Sequence, residues 1–186
     1  MTNISSAAMR IVTYIVLTNP CLFSDVLAIL IEAVLKTLES TSGLREKVLA
    51  AITELVDALV ASYSTLAFHR PSQRLALSTA PGIIVVYDLK TSQTAYVLDG
   101  HHHLSTELAF NMDGKYLAAM DKQDDLLLVW RFGGGILSYL GTDGDKTLQP
   151  KVTKAFESGK MVGIKWTEEK RIVVQLEGGA ELEVGV

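Results

Sequence analysis

The chain has 186 residues, with 17 Lys and Arg against 21 Asp and Glu, for a formal net charge of -4. It has no run of Lys or Arg, so it lacks the clustered positive charge that gripping nucleic acid or anionic lipid requires, and neither is expected as a partner. A hydrophobic fraction of 48% with 20% charged residues excludes an intrinsically disordered chain, and a mean hydropathy of +0.27 points to a large buried fraction or a large interface.

The single cysteine, Cys21, cannot make an internal disulfide, which fits a reducing compartment, so a cytoplasmic location is expected. It follows a proline in an apolar segment with no histidine nearby and reads as a buried, inert thiol. Residues 11–24 are uncharged, but Asn19-Pro20 interrupts them, no Ala-x-Ala pattern follows, and the apolar core is too short to span a bilayer. A buried helix is expected there, with no signal peptide and no direct membrane insertion.

Residues 4–17 read as a first helix, closed by Asn19-Pro20 because a residue before proline is pushed out of helical conformation. Ser24 is a suitable cap for a second helix over 23–38. There Phe23, Val26, Leu27, Leu30, Ile31, Val34, Leu35 and Leu38 recur at three and four spacing, with Asp25, Glu32, Lys36 and Glu39 opposite. Residues 40–43 break the pattern, and 44–63 repeat it with Val48, Ala51, Ile52, Leu55 and Leu59 inward. Short links predict antiparallel packing, as in a bundle or the end of a helical repeat, and define a helical domain over residues 1–63.

From Ser64 onward the apolar period changes from 3.6 to 2, which predicts strands. The clearest are 108–111, 115–120 and 126–130, separated by a turn on Asp113-Gly114 and a polar loop over 121–125. The β part repeats itself. Ala67-Phe68 matches Ala109-Phe110, and Leu75-Ala76 matches Leu117-Ala118, both at an offset of 42 residues; Tyr87-Asp88 matches Trp130-Arg131 at 43. A weaker third copy uses 163–166, 171–176 and 180–184, with an extra strand expected at 151–156. Outer, fourth strands are expected at 94–98 and 136–140. A period near 40–45 residues with four strands in each repeat is the pattern of β-propeller blades. The fold class is therefore α+β: antiparallel helices, then antiparallel β-meander blades over residues 64–186, about two and a half of them. That is fewer than the roughly four to eight a ring needs. Unpaired sheet edges should follow, and with them self-association or a partner chain.

The run RLALSTAPGIIVVYDLKTSQTAYVLDGHHHLSTELAFNMDGKYLAAMDKQDDLLLVWRF, residues 74–132, resembles the last two repeats of the rabconnectin beta-subunit family, within the WD-repeat superfamily. The preceding helices and the weak third repeat resemble the same C-terminal segment. In WD repeats the His of Gly-His, a Ser or Thr on the second strand, an Asp in the next turn and a Trp on the third strand form a structural network. Gly100-His101 and Trp130 match it, and Asp124 or Asp125 is the expected turn acid. Ala119 and Met120 stand where the hydroxyl belongs, and Tyr87-Asp88 replaces Trp-Asp in the first repeat. The structural repeat positions are thus Tyr87, Asp88, Gly100, His101, Asp113, Gly114, Trp130 and Trp166.

The resemblance implies a non-catalytic interaction scaffold that pairs with a rabconnectin alpha-like subunit and with vacuolar proton-ATPase subunits. It implies a role in pump assembly and vesicle acidification, with peripheral placement on vesicle or endosomal membranes through those partners. The alternative is a generic WD-repeat module that binds peptides or proteins and has no link to proton pumping. No catalytic, cofactor or metal residues are expected. The His101-His102-His103 run looks like a metal motif, but adjacent side chains diverge and rarely converge on one ion. Gly133–Gly135 and the Gly141–Thr147 run lack the order of a phosphate-binding loop and read as turns.

Overall fold

The computed structural model describes residues 2–19, 26–39, 45–79, 82–132, 147–156 and 160–186. Three helices lead: α1 (Thr2–Thr18), α2 (Leu27–Glu39) and α3 (Arg45–Ser62). The expected inward residues of α3, Val48, Ala51, Ile52, Leu55 and Leu59, are all buried, as are Leu27, Ile31, Val34, Leu35 and Leu38 of α2. Helix α3 packs against both α1 and α2.

Helix α1 departs from the expectation of a buried helix. Val16 is fully buried, but Ile11, Tyr14 and Leu17 are more than 60% exposed, because the helix lies outermost and touches the rest along one stripe. Val26, placed on the inward stripe of the second helix by its spacing, is exposed too. Ser24 and Cys21 lie outside the described residues, as do 133–146, which contain the strand expected at 136–140.

Among the described residues twelve strands follow, in three sheets. The first orders β1 (Leu66–His69), β2 (Arg74–Thr79), β3 (Ile83–Asp88), β4 (Gln93–Leu98) and β8 (Thr147–Leu148) side by side. The second orders β5 (Glu107–Phe110), β6 (Tyr116–Asp121), β7 (Leu126–Arg131) and β9 (Val152–Ala155), and the third β10 (Met161–Glu168), β11 (Arg171–Leu176) and β12 (Glu181–Gly185). The sequence repeat is a repeat of register: Ala67 faces Ala76 and Phe68 faces Leu75 in the first sheet, while Ala109 faces Ala118 and Phe110 faces Leu117 in the second.

The outer strand of the second sheet is β9, the segment that sequence had marked only as an extra strand. Leu126 pairs with Ala155 and Val129 with Val152. Just before it, β8 runs parallel to β4, with Val97 beside Thr147. One short strap thus finishes two sheets.

Strand alternation sends the two faces of each sheet into different cores. Leu66, Leu75, Leu77 and Leu89 face the helices. Ala67, Ala76, Ile84, Val86 and Leu98, from the opposite face, pack on Leu108, Leu117, Leu128 and Trp130 of the second sheet. Tyr116, Met120, Leu127 and Val129 then pack on Ile164, Ile172, Val174 and Val184 of the third. Each fully buried Leu or Ile contributes on the order of 2 kcal/mol, so these three apolar layers outweigh any single polar contact in holding the stack. The layers run helices, first sheet, second sheet, third sheet. Inner strand β5 lies between β1 and β10, as in a radial arrangement.

The two ends of the stack differ. The helices occupy the face of the first sheet on which a preceding sheet would pack. At the other end, where the second sheet has buried Tyr116, Ala118 and Met120, the third has Arg171, Val173 and Gln175, with Arg171 and Gln175 exposed. Arg171 pairs with Glu168 at 3.3 Å and Glu183 at 3.7 Å, and Gln175 donates to Glu181 at 3.2 Å. The outer face of the third sheet is thus polar where the equivalent face of the second is apolar.

Candidate functional site

The residues singled out by sequence fall into two groups. His101 and Trp130 come together between the first and second sheets. Both are buried, and their rings lie 6.0 Å apart and tilted by 60°. Gly100 permits this approach, since a Cβ there would stand 2.9 Å from Leu128 Cδ1 and 3.6 Å from the Trp130 ring, at a φ of 152°. Burial pushes the His101 imidazole down from its ordinary range, against the opposing pull of Asp121.

The acid that faces His101 is Asp121, not the expected Asp124 or Asp125. Asp121 closes β6, fully buried, with Oδ2 3.9 Å from His101 Nδ1. Its other oxygen accepts from the Gln123 N–H at 2.8 Å, which fixes the carboxylate across the start of the turn. Asp125 instead accepts from the Met161 N–H of the third sheet at 3.0 Å. Asp124 is exposed and turns toward His103, whose Nδ1 lies 3.3 Å from Asp124 Oδ2 and 3.4 Å from Asp121 Oδ2.

The three histidines diverge. His101 points inward, His102 is exposed, and His103 leans over the β6–β7 turn. Among the described residues, both ring nitrogens of His101, Asp121 Oδ2, Ser105 Oγ and Trp130 Nε1 are buried with no partner in hydrogen-bond geometry, although the Ala119 backbone lies close enough to His101 to oppose the effect of burial. The cluster thus brings His101 and Trp130 together with a buried acid, Asp121, whose carboxylate stays 3.9 Å from the imidazole.

The other residues shape turns. Asp88 Oδ1 accepts from the Lys90 N–H at 2.8 Å, capping the β3–β4 turn. Asp113 accepts from the Lys115 N–H at 2.9 Å and pairs with its ammonium at 2.7 Å. Tyr87 takes the register place of Trp130, since both face the same leucine of the neighbouring strand, Leu75 and Leu117. Its phenol is pushed up by burial and by Glu32 of α2, because here the neighbouring layer is the helices. Trp166 stands on an inner strand, opposite Ile172 as Phe110 stands opposite Leu117.

Two further residues escaped sequence reasoning. His69 Nε2 donates to the Met112 carbonyl at 3.1 Å in the neutral ring, leaving Nδ1 to accept from Ser72 Oγ at 2.7 Å. Asn111 Nδ2 donates to the Glu169 carbonyl at 2.9 Å, while its Oδ1 accepts from the Tyr116 N–H. His69 ends β1 and Asn111 follows β5 by one residue, and each reaches the inner turn of the next sheet, so the three turns are linked in series. The signal was present, because His69 and Asn111 are separated by the same 42 residues as the repeat.

No family model matches the chain. Among solved structures, the β-propeller domain of Myceliophteria thermophila Cps50 (Swd1) is 21% identical, with a TM-score of 0.50 over 67% of this chain and 36% of that one. Hsv2 of Kluyvelomyces marxianus is 18% identical, with a TM-score of 0.47 over 60% of this chain and 35% of its own. A chain of the mitotic checkpoint complex is 19% identical, with a TM-score of 0.45 over 64% of this chain and 38% of its own. The chain spans a little over a third of the length of each. Its strands adopt the β-propeller fold as an incomplete ring of three sheets, preceded by three helices.

Proposed function

We propose that the chain is a non-catalytic protein–protein interaction scaffold of the WD-repeat type. The observation that carries this reading is the open third sheet: among the described residues no strand lies on the outer side of β12. An unpaired edge offers main-chain donors and acceptors to another chain. The exposed apolar stripe of Ile11, Tyr14 and Leu17 on α1 supports it, since such residues grouped on one face mark contact surfaces. Among the described residues no helix is long and apolar enough to cross a membrane.

The likeness of residues 74–132 to rabconnectin beta-subunit repeats supports a finer reading. The partners would be a rabconnectin alpha-like subunit and vacuolar proton-ATPase subunits, and the scaffold would be carried to vesicle surfaces by them. Affinity capture with the full chain as bait tests both levels. Recovery of proton-ATPase and rabconnectin alpha components supports the finer reading. Saturable capture of other proteins, lost when Glu183 of β12, which alternates with the hydrogen-bonded pair Leu182–Val174 and so turns its N–H to the free edge, is changed to Pro, leaves the generic scaffold. Capture no greater than on bare resin defeats both.

A further inference from the structure

We propose that His103, Asp121 and Asp124 form a binding site for a divalent transition-metal ion, with zinc as the expected occupant. His103 Nδ1 and one oxygen from each carboxylate lie within 4.8 Å of one another. Zinc bonds of about 2.0–2.2 Å put the ligand atoms of a tetrahedron roughly 3.3–3.6 Å apart. The separations of His103 Nδ1 from Asp124 Oδ2, 3.3 Å, and from Asp121 Oδ2, 3.4 Å, are of that size.

An ion pair within the protein leaves this cluster unbalanced. Asp121 Oδ2 is fully buried and has no hydrogen-bond partner, while its other oxygen is already held by the Gln123 N–H. A second carboxylate stands beside it. Even a protonated imidazole supplies one positive charge for two negative ones, whereas a divalent ion matches both and gives the buried oxygen a strong partner. Gln123 then acts as an outer-shell group that aims Asp121.

The donor set also selects the metal. One imidazole nitrogen with two carboxylate oxygens suits zinc and its neighbours; calcium requires more oxygens than this site holds, and magnesium, which prefers oxygen and water, gains little from the imidazole nitrogen. His103 and Asp124 are 44% and 38% exposed, so the fourth position opens to solvent and is free for water or a side chain from another protein. The ion would join the loop between the first and second sheets to the β6–β7 turn.

The test is zinc titration of the full chain, purified without a histidine tag and stripped with chelator, followed by calorimetry and thermal melting. One saturable equivalent is expected, with a higher melting temperature and no comparable heat from magnesium. Because His103 and Asp124 are exposed, His103→Ala and Asp124→Asn should stay folded and bind zinc roughly tenfold or more weakly, while His102→Ala binds as the unaltered chain does. Bound cobalt should show the strong visible absorption of a tetrahedral site, lost in Asp124→Asn. Absence of saturable binding, or binding unchanged in both His103→Ala and Asp124→Asn, overturns the proposal.

Discussion

The indole N–H of Trp166, on the inner strand of the third sheet, donates to the carbonyl of Ala109 on the inner strand of the second, 2.9 Å away. It is a direct polar bond between two sheets, beside those from Asn111 to the Glu169 carbonyl and from the Met161 N–H to Asp125. Trp166→Phe keeps most of the ring and removes the donor. It should cost about 1 kcal/mol in chemical denaturation, and Trp166→Ala should cost more because packing against Tyr116 is lost as well.

Asn111 joins the same two sheets one residue beyond β5. Asn111→Ala removes the acceptor of the buried Tyr116 N–H and the donor to Glu169, so a loss of about 2–3 kcal/mol is expected. Asn111→Asp retains the acceptor and should cost less. Denaturant midpoints for the two variants check the order.

Gly114 sits at a φ of 68°, where a side chain is strained, and a Cβ there would meet the His69 imidazole. Gly114→Ala should therefore destabilise by at least about 1–2 kcal/mol. Because the clash and the backbone strain are separable, His69→Ala in the same chain should relieve part of the loss. A double-mutant cycle that is strictly additive would show that the imidazole does not crowd the turn.

Glu107 is half-buried where the second sheet meets the third. Burial pushes its carboxyl up, against the Ile164 N–H and Lys122, which pull it down. An acid raised in the folded state supports folding below its unfolded pKa, and that support is lost as pH rises from there through the folded value. Glu107→Gln should therefore raise the melting temperature at neutral pH and leave it nearly unchanged in acid. Equal shifts at both pH values would refute this account.

The unequal ends of the stack predict an exchange gradient. The first sheet has an apolar layer on both faces, while the third has one apolar face and one polar face. Amide hydrogen exchange should be slowest in β2 and β6 and fastest in β12, because a layered array opens from its least buried end.

Much of this architecture was legible in the residues because its interactions are local or repeat at a fixed spacing. The alternation of Leu75, Leu77 and Ala76 gives the two faces of a strand, and the 42-residue offset from Ala67 to Ala109 carries the register with it. Non-local pairing is what the pattern concealed. Val152–Ala155 has an exposed, ordinary edge-strand sequence, and nothing in it tells that β7 is its partner. Asp121 borders a polar run and by sequence belongs to it, yet it is the last residue of a buried strand. His69 and Asn111 differ in type, which hid that they do the same work one repeat apart.

The strap that carries β8 and β9 also bears on the order of events in folding. Strand β7 is made long before its outer partner, and until residues 152–155 arrive its edge is free to pair elsewhere. The same short run adds β8 to the first sheet, so both sheets draw their last strand from one segment. Closing the two sheets depends on pairings between residues far apart in sequence, Val97 with Thr147 and Val129 with Val152, rather than on local hairpins alone.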